Sequence, residues 1–223
     1  MADFVVCVDS HNLDKIIPLI ESIRDHNENS RINVITDNRV DFPICDRVGV
    51  IDESITLHLK DPYRRINKAT YYRLFIHKVF PDIEKCIYLD WDTLVLGDMT
   101  EELKGDDWII KGHPLVNING EVTHVNAGVL YFNFKNPKTI SLMEECINAK
   151  GMVDDQQRIN NIFGRHFNYI SREYNFLPPY WRHGLNGVKC VHYIGPFKPW
   201  LVKSEHILWY ELDKKIKNNE PTN

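Results

Sequence analysis

Apolar residues in the first quarter of the chain alternate between short runs and helical spacing. Residues 4–8 form a compact apolar run, and apolar residues then recur over 13–23 with the period of one helical face. Further apolar runs at 32–35 and 48–51 follow. A strand, a helix and two more strands predict a βαβ start and a largely parallel sheet, which binds ligands at its carboxyl end. Pro18 lies inside the helical pattern, where proline is tolerated only near the first turn or at a kink.

The remaining apolar pattern continues this alternation to the end of the chain. We predict, in order, a helix over 67–80, strands over 86–89 and 108–110, strands over 122–134 broken at 126–128, a helix starting at 136–137, a helix over 154–163 and a strand over 190–193. The polar residues 214–223 are expected to fray. We therefore expect one α/β domain over 1–223, with a mostly parallel central sheet and flanking helices.

Composition narrows the class of protein. With 223 residues, 43% of them hydrophobic, the chain can bury one substantial core. A net charge of −4 argues against nucleic acid as the main partner. The five cysteines are scattered through apolar runs without a CxxC pair, which favours core positions over disulfides or zinc binding. The short acidic start and the lack of a long apolar stretch predict a soluble cytoplasmic protein without a membrane span.

Asp90 and Asp92 directly follow the apolar run at 86–89. Side chains two positions apart in an extended strand point to the same side, so both carboxylates can face one cation while Trp91 turns into the protein. Such a pair alone is more often a solvated strand end. Apolar residues on both sides place it at the edge of a core, where carboxylates are costly without a cation or donor. This setting favours a metal site.

His192 ends another apolar run and is followed by Gly195 and Lys198. A lone histidine in such a run is more often a core residue bonded to the backbone. Gly195 permits close backbone approach to a phosphate, however, and Lys198 supplies a flexible ammonium group. Two aspartates and one imidazole suit manganese or magnesium better than zinc. Together these residues predict an enzyme acting on a nucleotide-activated substrate.

The chain resembles glycosyltransferase family 8, the group of glycogenin and the bacterial lipopolysaccharide galactosyl- and glucosyltransferases. Six collinear motifs carry the resemblance over nearly the whole chain, and together they are far more specific than any one of them. The motifs are Val8-Asp9-Ser10-His11-Asn12, Lys68-Ala69-Thr70-Tyr71-Tyr72-Arg73-Leu74, Tyr88-Leu89-Asp90-Trp91-Asp92, Asn126-Ala127-Gly128-Val129-Leu130, Asp155-Gln156-Gln157-Arg158-Ile159-Asn160 and His192-Tyr193-Ile194-Gly195-Pro196-Phe197-Lys198-Pro199-Trp200.

The resemblance implies a GT-A fold, a UDP-sugar donor such as UDP-glucose or UDP-galactose, Mn²⁺ or Mg²⁺ as the metal, and retention of anomeric configuration. The acceptor would be a hydroxyl group of a saccharide or a protein. The roles implied by position are metal binding for Asp90, Asp92 and His192, diphosphate binding for Gly195 and Lys198, uridine binding for Val8, Asp9 and His11, donor contact for Arg73, and contact with the transferred sugar for Asn126, Ala127, Asp155 and Gln156.

The chain departs from the family pattern in two places. His11 stands where the family often has asparagine, and the stretch between Gly112 and Val125 is short compared with the bacterial members. The first departure leaves the contact with ribose or base at His11 open, and the second means that acceptor specificity does not carry over. Retention can arise through a covalent glycosyl-enzyme or through attack from the face of the leaving group. We expect same-face attack, with Asp155 orienting the sugar, because the amide of Gln156 is a poor nucleophile.

Structural interpretations of the same positions remain open. Asp9 can cap the following helix, and residues 126–128 can form a bulge. Either Asp154 or Asp155 can be the carboxylate that interacts with the dipole at the N-terminus of the last helix. Arg73 can belong to a solvated face, although its apolar neighbours favour the sheet edge.

Three alternative functions also remain. A nucleotidyltransferase would need a Gly-rich basic loop after the first strand, which residues 9–12 do not provide. A glycogenin-like self-glycosylating protein would use a tyrosine such as Tyr180, which we expect instead to be a packed loop residue. An inactive nucleotide-sugar-binding module would not need the complete set of metal and phosphate residues.

Overall fold

The computed structural model describes residues 1–52, 67–152, 154–178, 180, 184–195, 198 and 200. The predicted polar tail at 214–223 lies outside them. The strands are β1 Ala2–Cys7, β2 Ser30–Thr36, β3 Arg47–Val50, β4 Lys85–Asp90, β5 Thr93–Val95, β6 Ile110–Val116, β7 Val122–Asn133, β8 Phe167–Tyr169 and β9 Cys190–His192. The α-helices are α1 Ile17–His26, α2 Ile76–Val79, α3 Pro137–Asn148 and α4 Asp155–Phe163, and the 3₁₀ helices are Ser10–Ile16, Lys68–Phe75, Thr100–Leu103, Gly164–His166 and Arg172–Tyr174.

The main sheet of the described residues has the strand order β3-β2-β1-β4-β7-β6-β8. Strands β3, β2, β1 and β4 pair in parallel, as do β6 and β8, whereas β7 is antiparallel to both of its neighbours. The mostly parallel sheet is therefore confirmed. Because β1 and β4 are parallel neighbours with Cys7 opposite Asp90, the segment after β1 emerges beside the acidic end of β4.

The predicted break over 126–128 does not divide β7, which is one continuous strand. The interruption lies in its pairing with β6: the register moves from Gly112 opposite Leu130 to Pro114 opposite Val125. β7 thus advances five positions while β6 advances two. Residues 126–128 lie within this irregular stretch, where the edge of β7 that faces β6 does not pair regularly.

The first predicted helix, over 13–23, is two helical segments. A 3₁₀ helix ends at Ile16, and Pro18 lies in the first turn of α1. Proline cannot donate to the carbonyl oxygen four residues earlier, so the α-helical pattern cannot extend upstream through it. The predicted helix over 67–80 is likewise a 3₁₀ helix followed by the single turn of α2. The two later helix predictions are confirmed, with Asn136 and Asp154 as N-caps.

Two hydrophobic layers cover the two faces of the sheet. Successive residues from Phe4 to Val8 alternate between them: Val5 and Cys7 belong to one layer, and Phe4, Val6 and Val8 to the other. Helices α3 and α4 pack in the first layer and α1 in the second. Four of the cysteines are buried and Cys45 is half-buried, all of them as free thiols. Within the described residues, no helix has the length and apolar character needed to cross a bilayer.

Candidate functional site

Asp90, Asp92 and His192 converge at the carboxyl end of the central strands. Each offers one ligand atom, and these atoms lie within 4.8 Å of one another. His192 Nε2 is 3.4 Å from Asp92 Oδ1 and 3.7 Å from Asp90 Oδ2. The ribbon of β5 and β9 brings them together, because its register sets His192 opposite Thr93, the residue after Asp92.

Asp92 reaches this cluster by a different route from the one predicted. Trp91 and Asp92 form the turn between β4 and β5 and do not continue an extended strand. The hydroxyl of Thr93 donates to the carbonyl oxygen of Asp90 at 2.7 Å, which closes this turn. Trp91 turns toward the protein, as predicted, and packs against the second of the two hydrophobic layers. It is half-buried, and its ring stacks on that of Trp200 with 4.6 Å between centroids.

The three side chains fit a hard divalent cation. Two carboxylates and one imidazole form an oxygen-rich donor set of the kind that Mg²⁺ and Mn²⁺ accept. Asp92 and His192 are buried. Burial acts to raise the pKa of Asp92, but His192 and Lys198 hold it below its usual value. A buried ionised carboxylate requires positive charge beside it, which a bound cation also supplies.

The orientation of His192 depends on residues in two other segments. His192 Nδ1 lies 3.0 Å from Asn175 Oδ1, and Asn175 Nδ2 donates to Asn126 Oδ1 at 3.0 Å. A Cβ atom at Gly128 would lie 1.9 Å from His192 Cε1, so the ring packs directly against the glycine backbone. Sequence reasoning missed Asn175. It lies 17 positions before His192 in the chain, and no periodic pattern of apolar residues indicates that the two side chains meet.

Arg73 lies under the acidic cluster and is buried, which excludes a solvated face for it. Its Nη2 is 2.8 Å from Asp90 Oδ1 and its Nε is 2.9 Å from Asp155 Oδ2. The guanidinium also donates to the carbonyl oxygen of Ala127 and stacks over the ring of Tyr88 at 4.4 Å. Burial acts to lower the pKa of Arg73, but Asp155 and Asp90 raise it above its usual value. Arg73 is therefore a permanent cation between two carboxylates.

The two acids at the start of α4 have separate roles. Asp154 is the N-cap and accepts from the amide N–H of Gln157 at 2.6 Å, whereas Asp155 lies in the first turn and contacts Arg73. Burial raises the pKa of Asp155 to about 6 despite the attraction of Arg73. The negative charges of Asp90 and Asp154 act in the same direction as burial.

Helix α4 holds the irregular stretch of β7 through two side chains. Gln156 Oε1 accepts from the amide N–H of Ala127 at 3.0 Å. Asn160 Oδ1 accepts from the N–H of Val125 at 2.6 Å, and Asn160 Nδ2 donates to the carbonyl oxygen of Val125 at 2.8 Å. Sequence reasoning assigned no role to Asn160, although its position one helical turn after Gln156 places the two on one face. The amide oxygen of Gln156 therefore supports the strand.

The segment after β1 is held by Asp9. Its carboxylate accepts from the N–H of His11 at 3.2 Å and from Asn12 Nδ2 at 2.7 and 2.8 Å, so the capping interpretation is confirmed. Asn67 Nδ2 also donates to Asp9, at 2.7 Å. Val8 is buried and His11 is exposed. The three predicted uridine residues thus lie together beside the end of β4.

The final segment brings Lys198 to the acidic cluster. The ammonium group of Lys198 contacts Asp92 Oδ2 and donates to the carbonyl oxygen of Tyr193 at 3.1 Å. Gly195 has a φ of +61°, a left-handed conformation that favours glycine. Residues 196, 197 and 199, which belong to the same motif, lie outside the described residues.

Trp200 joins this segment to the segment after β1. Besides stacking on Trp91, its ring lies 5.7 Å from Lys15 Nζ, which is equally distant from the ring of Trp91. Lys15 also donates to Asn12 Oδ1, and Asn12 bonds to Asp9. These contacts hold the end of the segment that carries Lys198 against the segment after β1.

Tyr180 is a packed loop residue, as predicted. It is half-buried, its ring tilts against Phe176 at 5.9 Å, and its hydroxyl lies 3.4 Å from Nε2 of the buried His113. These contacts do not favour Tyr180 as a freely accessible acceptor.

Comparison with known proteins gives a family match and a fold match. The model of the family described as Glycosyl transferase family 8 matches residues 4–204. A Haemophilus influenzae protein described as a glycosyltransferase is 27% identical over 186 residues, covering 68% of this chain and 56% of that protein. Glycogenin-1 of Oryctolagus cuniculus is 23% identical over 203 residues, covering 80% of this chain and 59% of that protein. The chain thus spans little more than half the length of these relatives.

A crystal structure of the galactosyltransferase LgtC in complex with donor and acceptor sugar analogs is similar to this fold. Its TM-score is 0.76 at 20% identity, with 99% of this chain and 97% of that chain covered. The fold is therefore of the GT-A type, as the sequence resemblance implied.

Proposed function

Because the chain belongs to glycosyltransferase family 8, we propose that it is a metal-dependent, retaining hexosyltransferase acting as one domain over residues 1–223. The donor is a UDP-sugar, UDP-glucose or UDP-galactose, and the acceptor is a hydroxyl of a saccharide or a protein. The observation that carries this proposal is the convergence of Asp90, Asp92, His192 and Lys198 at one end of the sheet.

Asp90, Asp92 and His192 would hold Mn²⁺, with Mg²⁺ as the alternative. The bound cation would act as a Lewis acid that stabilises the negative charge of the departing UDP. Asp90 is held for this role by Arg73 and by the hydroxyl of Tyr88, which donates to Asp90 Oδ1 at 2.5 Å. These partners fix the carboxylate in place before a donor binds.

The nucleotide would bind across the two segments that meet beside this cluster. Val8, Asp9 and His11 would contact the uridine, and Gly195 and Lys198 the diphosphate. The ammonium group of Lys198 supports this assignment, because it already lies at the acidic cluster, where a metal-bound diphosphate would be found. Its positive charge would stabilise the negative charge that grows as the glycosidic bond breaks.

The transferred sugar would lie against Asn126, Ala127, Asp155 and Gln156, with Arg73 contacting the donor. The contacts of two of these residues support attack from the face of the leaving group. Asp155 is held in place by its ion pair with Arg73, and the amide oxygen of Gln156, a poor nucleophile, accepts a backbone hydrogen bond. Asp155 would orient the sugar, and the protein would place the acceptor hydroxyl near the anomeric carbon.

The test is release of UDP from UDP-glucose and UDP-galactose by the purified protein with Mn²⁺, measured with and without a panel of saccharide acceptors. Acceptor-stimulated release that stops in EDTA supports the proposal, and a retained α-anomer identified by NMR supports retention. No release or transfer from either donor with any acceptor would overturn it.

Measuring the intact mass of the protein in the same reactions distinguishes self-glycosylation from transfer to an added acceptor. A mass increase of one or more hexose units on the protein, without added acceptor, would assign the transferase reaction to the protein itself. A glycosylated Asp155 peptide would instead overturn same-face attack and establish the covalent route.

A further inference from the structure

Building on the proposed function, on which this step rests, we infer that Asn175 is a positioning residue for metal binding. Its carboxamide selects the tautomer of His192 that can bind a metal, and it ties the imidazole to Asn126 on the proposed sugar side. Asn175 touches neither donor nor metal in this role.

Because Asn175 is buried, the loss of either of its side-chain hydrogen bonds would cost free energy. The residue is completely buried, between the 3₁₀ helix Arg172–Tyr174 and the bridge from Phe176 to β9. Each end of its carboxamide has one side-chain partner, His192 at 3.0 Å and Asn126 at 3.0 Å. Leaving either end unpaired in this environment would cost about 1–3 kcal/mol. The carboxamide is thereby held in one orientation.

The direction of the hydrogen bonds follows from one unambiguous donor, the backbone N–H of Gly128. It donates to Asn126 Oδ1 at 3.0 Å, which fixes that atom as an acceptor. The group of Asn175 facing Asn126 must then be its NH₂, so its oxygen faces His192. An oxygen accepts only from a protonated nitrogen, and Nδ1 of His192 must therefore carry the hydrogen.

The consequence at the other side of the ring is a nitrogen ready to bind metal. In a neutral imidazole with hydrogen on Nδ1, Nε2 keeps its lone pair. Nε2 is the atom that lies 3.4 Å from Asp92 and 3.7 Å from Asp90. Contact of the ring with Gly128 restricts its position, since no side chain intervenes. Asn175 thus supplies the acceptor that metal-binding histidines require on their second nitrogen.

The same network determines what Asn126 can offer the sugar. Asn126 Oδ1 accepts from both Gly128 and Asn175. Asn126 would therefore present its NH₂ group to a donor sugar, as a hydrogen-bond donor. A change at Asn175 is expected to disturb both the metal side and the sugar side.

The experiment measures Mn²⁺ affinity by electron paramagnetic resonance, with the metal alone added to the metal-free protein of residues 1–223. Asn175→Ala removes the acceptor and should weaken Mn²⁺ binding about 10- to 100-fold. Asn175→Asp keeps an oxygen for Nδ1–H but loses the NH₂ group that donates to Asn126, so it should bind Mn²⁺ more tightly than Asn175→Ala. Asn133→Ala is the matched control: Asn133 is an equally buried asparagine on β7, bonded to Asp106 and Trp108, and its loss should leave Mn²⁺ affinity unchanged.

A second readout is the tautomer of His192, measured by ¹⁵N NMR of histidine-labelled, metal-free protein. We expect hydrogen on Nδ1 in the wild type, and this measurement decides the inference even when Asn175→Ala does not fold. A wild-type imidazole with hydrogen on Nε2 and none on Nδ1, or wild-type Mn²⁺ affinity in a folded Asn175→Ala protein, would overturn it.

The Mn²⁺ affinity of Asp92→Asn distinguishes failure of the proposed metal site from failure of the role of Asn175. If Asp92→Asn leaves the Mn²⁺ affinity of the protein unchanged, the metal lies elsewhere and the proposed metal site is wrong. If Asp92→Asn abolishes binding but Asn175→Ala does not alter it, the metal site stands and the role of Asn175 is withdrawn.

Discussion

Arg73 and Asp155 form a 2.9 Å ion pair in which neither side chain is more than 6% exposed. The pair joins the 3₁₀ helix Lys68–Phe75 to the first turn of α4, and the same guanidinium continues to Asp90 at the end of β4. A residue proposed for the metal and a residue proposed for the sugar therefore share one cation. A change in the charge of either carboxylate should therefore shift the pKa of the other.

The raised pKa of Asp155 predicts a pH-dependent stability. A carboxyl group whose pKa rises from 3.8 to about 6 on folding contributes stability below pH 3.8, and this contribution is lost as the pH rises through 6. The shift corresponds to roughly 3 kcal/mol. The free energy of unfolding of Asp155→Asn, relative to the wild type, should therefore increase between about pH 4 and 6 and then level off. Urea unfolding in EDTA at several pH values measures it. A difference independent of pH would contradict the assignment.

Asp92→Asn should remove Mn²⁺-dependent turnover while the protein stays folded, because one ligand is lost without opening a cavity. The loss should exceed the about 10- to 100-fold reduction typical of changes next to a ligand. Asp98→Asn makes the same chemical change at an exposed carboxylate that bonds to Thr100, and it should retain activity. Steady-state rates over a Mn²⁺ titration compare the two variants. Full wild-type activity in EDTA would contradict metal dependence.

If Asp9 contacts the uridine as proposed, the protein should bind uracil nucleotides selectively. In the presence of Mn²⁺, UDP should raise the Tm of the protein far more than ADP or GDP, because only a ligand of the native state stabilises it. Asp9→Asn keeps the acceptor that caps the helix but loses the oxygen that accepts from Asn12 and Asn67, so it should lower the Tm without ligand and, in addition, reduce the shift caused by UDP. Equal shifts with all three nucleotides would exclude uracil selectivity.

Lys198 is expected to act mainly in the transition state. Lys198→Ala should lower kcat by at least about tenfold and change the KM for UDP-sugar much less, because the charge on the diphosphate grows as the bond breaks. Lys198→Arg should recover part of the loss, since a planar fork replaces a compact ammonium group. Initial-rate kinetics over donor concentration distinguish the two parameters. An unchanged kcat with weakened donor binding would make Lys198 a docking contact only.

The sequence predicted the parallel strands, both later helices and the meeting of Asp90, Asp92 and His192, because apolar periodicity and polar strand ends are local signals. It did not predict that β7 runs antiparallel or that Asp92 lies in a turn. Both depend on how distant strands pair: β4 and β6 flank β7, and β9 returns beside β5. Asn175 escaped prediction for the same reason, since its importance comes from contacts with Asn126 and His192 and not from its neighbours in the chain.

The stacked pair of Trp91 and Trp200 makes the segment that carries Lys198 spectroscopically visible. Indole emission depends on the environment of the ring, and these two rings are half-buried with the charge of Lys15 beside them. Any displacement of Lys198 that also moves Trp200 would separate the rings and change the intrinsic fluorescence. Intrinsic fluorescence thus offers a label-free measurement of whether, and how fast, Trp200 moves when a donor binds.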